Sequence, residues 1–341
     1  AILLGRAGHR VTILECVDEP GAVGAGITLQ PTGQAALRRL GLLEPIEARG
    51  ARIDRLCCVR RGGRPLVDLA YAEIDPRLYG IGIHRGVLFE TLFHAARELA
   101  TVRCELRDAV RETRSGPRVV RVGVDRDGVL SSQRSILQTV DGARHMLGLL
   151  PTGTRATGEH VVSLFWSVHA DRVDDWRAAG LSAWRDQILR LDPRAEGMLD
   201  QIDDAGAVLF SRYHDVAMWP WHGDRIVFVG DAAHATSPQL GQGANLALVD
   251  AVELADAIAA ESSIAGALVA YSRTRRRHLG FYQFATRALT PLFQSDSRAI
   301  GWIRDRVFPA SRWLRPLRRR MIRTMIGADR GLLRRPLPLA I

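Results

Sequence analysis

The stretch from Arg225 to Asp250, RIVFVGDAAHATSPQLGQGANLALVD, constrains this 341-residue chain more than any other, because it joins an apolar run, a glycine-rich loop and a helix start. Ile226, Val227, Phe228 and Val229 read as a strand buried on both faces of a layered sheet, ended by Gly230 and followed by Asp231 at its carboxyl end. Downstream, Leu248, Ala251, Val252, Ala255 and Ile258 recur at helical spacing, with Asp250, Glu253 and Asp256 on the other side. That pattern predicts an amphipathic helix beginning near Gly243. Pro238, Gly241 and Gly243 lie between. Glycines let a ligand approach the backbone, and the free amides of a first helical turn stabilise an anion. An ordinary glycine-rich connection has the same composition, so the motif alone leaves both readings open. One compositional fact favours a built site: Asn245 is the single asparagine of a chain whose 47 basic residues are all arginine, and it stands at the mouth of this loop.

The pattern Gly230, Asp231, Ala232, Ala233, His234, Pro238, Gly241, Gly243, Asn245 and Asp250 resembles the second flavin-binding motif of the single-component FAD-dependent monooxygenases, typified by the aromatic-ring hydroxylases such as p-hydroxybenzoate hydroxylase. Asp127, Gly128, Ser131 and Arg134, in DRDGVLSSQR, resemble the middle motif of that family, an Asp-Gly turn followed by Ser and Arg. Glu15, closing VTILE, resembles the terminal acid of its second strand, which holds the adenosine ribose. A dinucleotide fold opens with a strand and GxGxxG. This sequence begins at AILLGRAGHR, similar to the back half of the helix that follows, so the first strand and glycine loop are expected upstream. A shortened stretch is likewise expected near residues 117 to 145.

The resemblance implies an α/β fold: a Rossmann-like three-layer FAD-binding domain, an interleaved mixed or antiparallel sheet that binds substrate, and a helical C-terminal tail. The expected division is 1–50, 80–136 and 224–295 for the FAD side, 51–79 and 137–223 for the substrate sheet, and 296–341 for the tail. It further implies FAD as cofactor, NADPH or NADH as transient reductant, and O2 as co-substrate. The flavin hydroperoxide formed from O2 would deliver one oxygen to an aromatic, polyketide-like or isoprenoid-like small molecule. Among its residues, Asp231 would bind the ribityl chain, and the amides near Gly243, Ala244 and Asn245 would face the pyrimidine edge of the ring. Pro238 would shape the oxygen pocket, and Arg85, ahead of a helix, would contact the flavin. His234 is expected beside the cofactor rather than as a general base. Tyr213, His214, Met218, Trp219 and Trp221 are candidates to line the substrate pocket, although core packing explains such residues equally well.

Local patterns fill in the rest. Val11–Glu15, His160–Val168, Val208–Tyr213 and Ala217–Trp221 read as strands. Thr32 is expected to cap a helix that runs to Leu40 and stops at Gly41. Leu88, Leu92, Ala95 and Leu99 mark another helix, and a third after Ser182 turns Trp184, Ile188 and Leu191 inward.

Bulk properties narrow the classes. No apolar stretch is long enough to span a bilayer, and the start is no signal peptide. Cys16, Cys57, Cys58 and Cys104 lack metal-ligand spacing and read as reduced thiols of a cytoplasmic protein. The net charge of +10 gathers in part at the end, where Trp313, Leu314, Leu317, Met321 and Met325 share a helical face. A tail packed on the domain is favoured there over peripheral membrane contact, and no nucleic-acid motif is present. Flavin halogenases need a relay lysine and WxWxIP. This chain has no lysine, and its WPW at 219 to 221 is not that signature. The rival readings are an FAD-dependent dehydrogenase or oxidative cyclase without oxygen insertion, and a membrane-surface flavoprotein.

Overall fold

The computed structural model describes residues 1–15, 25–106, 119–124, 128–155, 157–205, 208 and 215–330. Asp127, Tyr213, His214, most of the strand expected at Val208–Tyr213, and residues 331–341 lie outside them.

Helix α1 (Ile2–Arg6) and strand β1 (Val11–Glu15) open the chain, followed by β2 (Gly26–Leu29), α2 (Pro31–Leu40), α3 (Leu43–Arg49), β3 (Ala51–Ile53), β4 (Arg55–Arg60), β5 (Pro65–Ala70) and β6 (Gly80–His84). Then come α4 (Arg85–Arg97), β7 (Val102–Leu106), β8 (Val119–Val124), α5 (Val129–Ser132), β9 (Ser135–Asp141), β10 (His145–Thr154) and β11 (His160–Trp166). The later elements are helical: α6 (Val173–Leu191), α7 (Glu196–Leu199), α8 (Asp231–His234), α9 (Gly243–Ala260), α10 (Ile264–Phe293), α11 (Arg298–Ala310) and α12 (Arg315–Ile326).

β1 and β7 pair in parallel, with Glu15 opposite Leu106 at the carboxyl end. A parallel pair needs a long crossover, which is the dinucleotide-fold arrangement predicted from VTILE. A second small sheet runs β2-β6-β3. Leu29, Leu37, Ile46, Ile81, Ile83 and Val102 bind these strands to α2, α3 and α4 in one core. The third sheet is mixed, in the order β5-β4-β9-β10-β11-β8, with β4 and β9 its parallel pair. β8, which the division by sequence assigns to the cofactor side, is an edge strand of this sheet. One face of the sheet is covered by α6, through Trp184, Ile188 and Leu191. The other receives α12, through Ile322, Met325 and Ile326.

Several local expectations are corrected. Ile226–Val229 is no buried strand: Ile226 is 62% exposed, Phe228 and Val229 are exposed as well, and the segment pairs through a single bridge from Val227 to His222 among the described residues, with Val227 packed on the Trp221 core. An apolar run becomes a buried strand only where neighbours flank it on both sides, and the described residues place none there. Ala217–Trp221 is likewise not a strand. Thr32 does not cap α2; Gln30 occupies that position, Pro31 begins the helix, and the Thr32 hydroxyl donates to the Ile326 carbonyl at 3.3 Å. α6 starts nine residues ahead of Ser182 and bends at Gly180. The apolar face expected on the tail splits: Met325 is buried and Met321 half-buried, whereas Trp313, Leu314 and Leu317 face outward.

Candidate active site

α9 begins at Gly243 without a side-chain cap. Gln242, just ahead of it, sends its side-chain amide away to the Met325 carbonyl (2.7 Å). The first backbone bond of the helix runs from the Leu246 amide to the Gln242 carbonyl, so the amides of Gly243, Ala244 and Asn245 stand ahead of the ladder and supply the positive pole of an 18-residue helix. Gly241 and Gly243 put no side chain in front of it. The exposed carboxylate of Asp231 lies beside this opening, 3.9 Å from where a Cβ on Gly243 would stand.

The loop is held from behind by a buried ionic cluster. Gly230 donates its amide to Oδ2 of Asp250 (2.9 Å), and His234 donates from Nε2 to the same oxygen (2.5 Å). Arg275 of α10 donates from Nε to Oδ1 (2.7 Å). Burial by itself would raise the Asp250 carboxyl. The His234 hydrogen bond and the Arg275 charge outweigh it and hold the group below the usual carboxylate range. Arg275 also donates from Nη1 to Nδ1 of His278 (2.6 Å), whose Nε2 donates to the Gly327 carbonyl (2.7 Å). With one ring nitrogen accepting and the other donating, His278 is neutral. Burial, reinforced by the adjacent guanidinium, pushes its pKa down to about 3.

That value has a measurable consequence. An unfolded histidine takes up a proton near pH 6.5, whereas this one resists until far lower, so its share of the stability is whole above about pH 6.5 and is lost as pH falls toward 3. Between pH 7 and pH 5 it is expected to remove about 2 kcal/mol. Urea denaturation at both pH values checks this, and H278Q should show a visibly smaller pH difference than the parent.

Asn245 points inward rather than toward the loop mouth. Its Oδ1 accepts from the Gln30 amide (2.8 Å), and its Nδ2 donates to the carbonyls of Thr28 (3.0 Å) and Gly241 (3.2 Å). It staples the β2–α2 junction to α9. Only glycine fits at position 33, where a Cβ would lie 2.2 Å from Asn245 Oδ1.

A cavity of about 780 Å³ opens between the six-stranded sheet, α6 and α10. Trp166, Trp176 and Trp184 form its aromatic wall, with edge-to-face contacts of 6.3 and 6.1 Å. Arg144, Arg172 and Arg287 stand on its lining, each facing a carboxylate: Asp296 at 2.6 Å, Asp175 at 3.7 Å and Asp215 at 3.5 Å. Ser237 also lines it, the residue ahead of the turn that begins at Pro238 and ends at Gly241.

The other predicted residues are distributed as follows. Glu15 ends β1, and Arg85 is an exposed side chain at the first position of α4. Gly128 takes a left-handed φ of 65° ahead of α5, as an Asp-Gly turn requires. Arg134 pairs with Asp54 (2.8 Å), a structural contact. His234 does not line the cavity, because its ring is spent on Asp250 and its Nδ1 is buried without a partner among the described residues. Met218 packs against the Trp221 and Tyr282 core, while Trp219 is 48% exposed under the Arg276 guanidinium. Neither lines the cavity. The sequence carries no site signal for the tryptophan wall or Arg287: Trp184 reads as an inward helix residue and Trp166 as part of the His160–Val168 strand.

A model of an FAD binding domain matches residues 127–280. The chain is 26% identical to a 3-hydroxybenzoate 6-hydroxylase from Klebsiella oxytoca over 86% of its own length and 85% of the relative's. It is 25% identical to an aurachin C monooxygenase/isomerase from Stigmatella aurantiaca, over 90% and 89%. The chain is a relative of the FAD-dependent monooxygenases. Solved structures agree on the fold: PqsL of Pseudomonas aeruginosa superimposes with a TM-score of 0.75 at 19% identity, covering 89% of this chain and 94% of that one. Klebsiella pneumoniae HpxO, solved with FAD and uric acid, gives 0.69 at 18% identity over 97% and 94%. The residues present fit a flavin. An uncapped helix start suits the electron-rich pyrimidine edge of the ring, and the two glycines leave room for it. Asp231 presents an exposed carboxylate that could accept from hydroxyls, and Glu15 puts a second carboxylate at the carboxyl end of β1.

Proposed function

We propose that this protein is an FAD-dependent monooxygenase that uses NADH or NADPH and O2 to insert one oxygen atom into an aromatic small molecule held in the Trp166, Trp176 and Trp184 cavity. The observation that supports this reading is that Ser237, the residue before Pro238 in the glycine-rich loop, lines the cavity together with the three tryptophans. The relatives support the substrate class, since the Klebsiella oxytoca enzyme is a 3-hydroxybenzoate 6-hydroxylase and PqsL was solved with 2-aminobenzoylacetate.

Bound FAD would supply electron transfer from the nicotinamide and activation of oxygen. The chain's own work is positioning and dryness. The three tryptophans, packed in the core, make the inner wall apolar and keep bulk water from the substrate, while the rim arginines, balanced by Asp215, Asp175 and Asp296, orient polar substituents. Pro238, next in the chain to the cavity-lining Ser237, would shape the space between ring and substrate. The α9 amides would favour negative charge on the pyrimidine edge, and Asp231 and Glu15 would accept from the sugar-alcohol and ribose hydroxyls. Small-molecule turnover is proposed for the cytoplasm, in keeping with free Cys57, Cys58 and Cys104.

The test is turnover with product mass. Substrate-stimulated NAD(P)H oxidation yielding a product heavier by one oxygen is expected, whereas a product lighter by two hydrogens would establish the dehydrogenase instead. Asp231→Ala is expected to weaken FAD binding about tenfold or more, the equivalent of about 1.5–3 kcal/mol for a hydrogen bond to a charged group. Flavin fluorescence titration measures it, and unchanged affinity would remove Asp231 from the site.

A further inference from the structure

α11 and α12 expose large apolar side chains that a folded surface normally hides. On α11, Trp302 is 57% exposed and is accompanied by Ile303 and Val307. In the connecting turn and the first turn of α12, Trp313 is 86% exposed, beside Leu314 and Leu317. These residues are not scattered: 302, 303 and 307 lie on one side of α11, opposite the buried Gly301 and Arg304. Large apolar side chains exposed together on two successive helices mark an interaction site.

The charge around them identifies the partner. Residues 298–326 contain nine arginines and a single acid, Asp305. That acid is already engaged by Arg304 (2.6 Å) and Arg60 (3.4 Å). Two of the arginines are held inward, Arg318 on Glu73 and Arg320 on Asp329. Arg298, Arg306, Arg312, Arg315, Arg319 and Arg323 are exposed among the apolar groups. Arg306 lies over the Trp302 ring at 4.1 Å, an amphipathic pair with one apolar body and one charged head. Meanwhile Ile322, Met325 and Ile326 anchor α12 in the core, so the outward face is presented on a fixed support.

We propose that this face docks the protein reversibly on an anionic lipid bilayer. Tryptophan, leucine and isoleucine enter the boundary between headgroups and acyl chains, and the six arginines meet the lipid phosphates. Like charge opposes a second copy of the same face. A nucleic acid would use the arginines but has no place for Ile303, Val307, Leu314 and Leu317. Among the described residues no helix is long and apolar enough to cross a membrane, which matches attachment to a surface.

Flotation of the full-length, flavin-loaded protein with phosphatidylcholine vesicles and with vesicles containing phosphatidylglycerol tests this. Binding is expected to be at least about tenfold stronger to the anionic vesicles and to fade as salt rises, since surface charge is screened within a Debye length. The W313A/L314A variant should lose about tenfold or more, and R312Q/R315Q/R319Q should lose the preference for phosphatidylglycerol, both with unchanged flavin content. Equal partition onto both vesicle types, or binding untouched by W313A/L314A, overturns the proposal. So does self-association or oligonucleotide binding through the same residues in a protein that ignores both vesicles.

Discussion

Replacing Asp250 with alanine is expected to lower the unfolding free energy by about 3–5 kcal/mol, the cost of leaving a buried ionic partner unpaired. Arg275 would keep its charge at 1% exposure with no carboxylate, and the Gly230 amide and His234 Nε2 would lose their common acceptor. A protein of ordinary stability, about 5–15 kcal/mol, loses a large fraction of it in this way. Urea denaturation followed by tryptophan fluorescence measures the loss. Arg275→Ala should cost a similar amount, and the double variant much less than the sum, because the second removal takes away the stranded charge. A single-variant loss under about 1 kcal/mol would show that the cluster is dispensable.

The second large effect is at Asn245. Alanine there strands the Gln30 amide and the Thr28 carbonyl, and at about 1–3 kcal/mol for each buried group left unpaired, a loss of about 2–4 kcal/mol is expected. The staple joins the β2–α2 junction to the start of α9, so flavin affinity should fall together with stability. Gly33→Ala gives an independent check. In the parent its Cβ collides with Asn245 Oδ1, whereas in N245A that atom is gone, so the substitution should cost clearly less in the variant than in the parent. Equal costs would mean that the close approach of α2 and α9 is not maintained by Asn245.

Elements whose pattern is self-sufficient were legible in the sequence. VTILE, HVVSLFW and the Leu248-to-Ile258 stripe carry their period within one segment, and each forms the expected strand or helix. Ile226–Val229 misled because burial of an apolar run depends on flanking strands, which no local pattern records. Thr32 misled because the cap was assigned by residue type, while Pro31 had already set the first helical position one residue earlier. Met218 and Trp219 were read by alternation, a rule that holds only inside a strand. The cofactor loop was legible because one continuous segment supplies it. The cavity was not, because its wall gathers Arg144, Trp166, Trp184, Ser237 and Arg287 from segments far apart in the chain. The Asp250 to His278 cluster escaped for the same reason: its arginine and histidine lie on the helix after the motif, where they look like surface charge.

The Gln242 contact at the Met325 carbonyl and the His278 contact at the Gly327 carbonyl set a practical boundary. Both acceptors are main-chain atoms, so they depend on the backbone path, and Gly327 holds that path at a φ of 94° where a Cβ would lie 2.1 Å from Thr32 Oγ1. Shortening the polypeptide ahead of residue 325 is a different matter. It would withdraw the acceptor of Gln242, at the start of α9, together with that of His278, on α10, so a shortened chain that keeps both contacts must extend past Gly327.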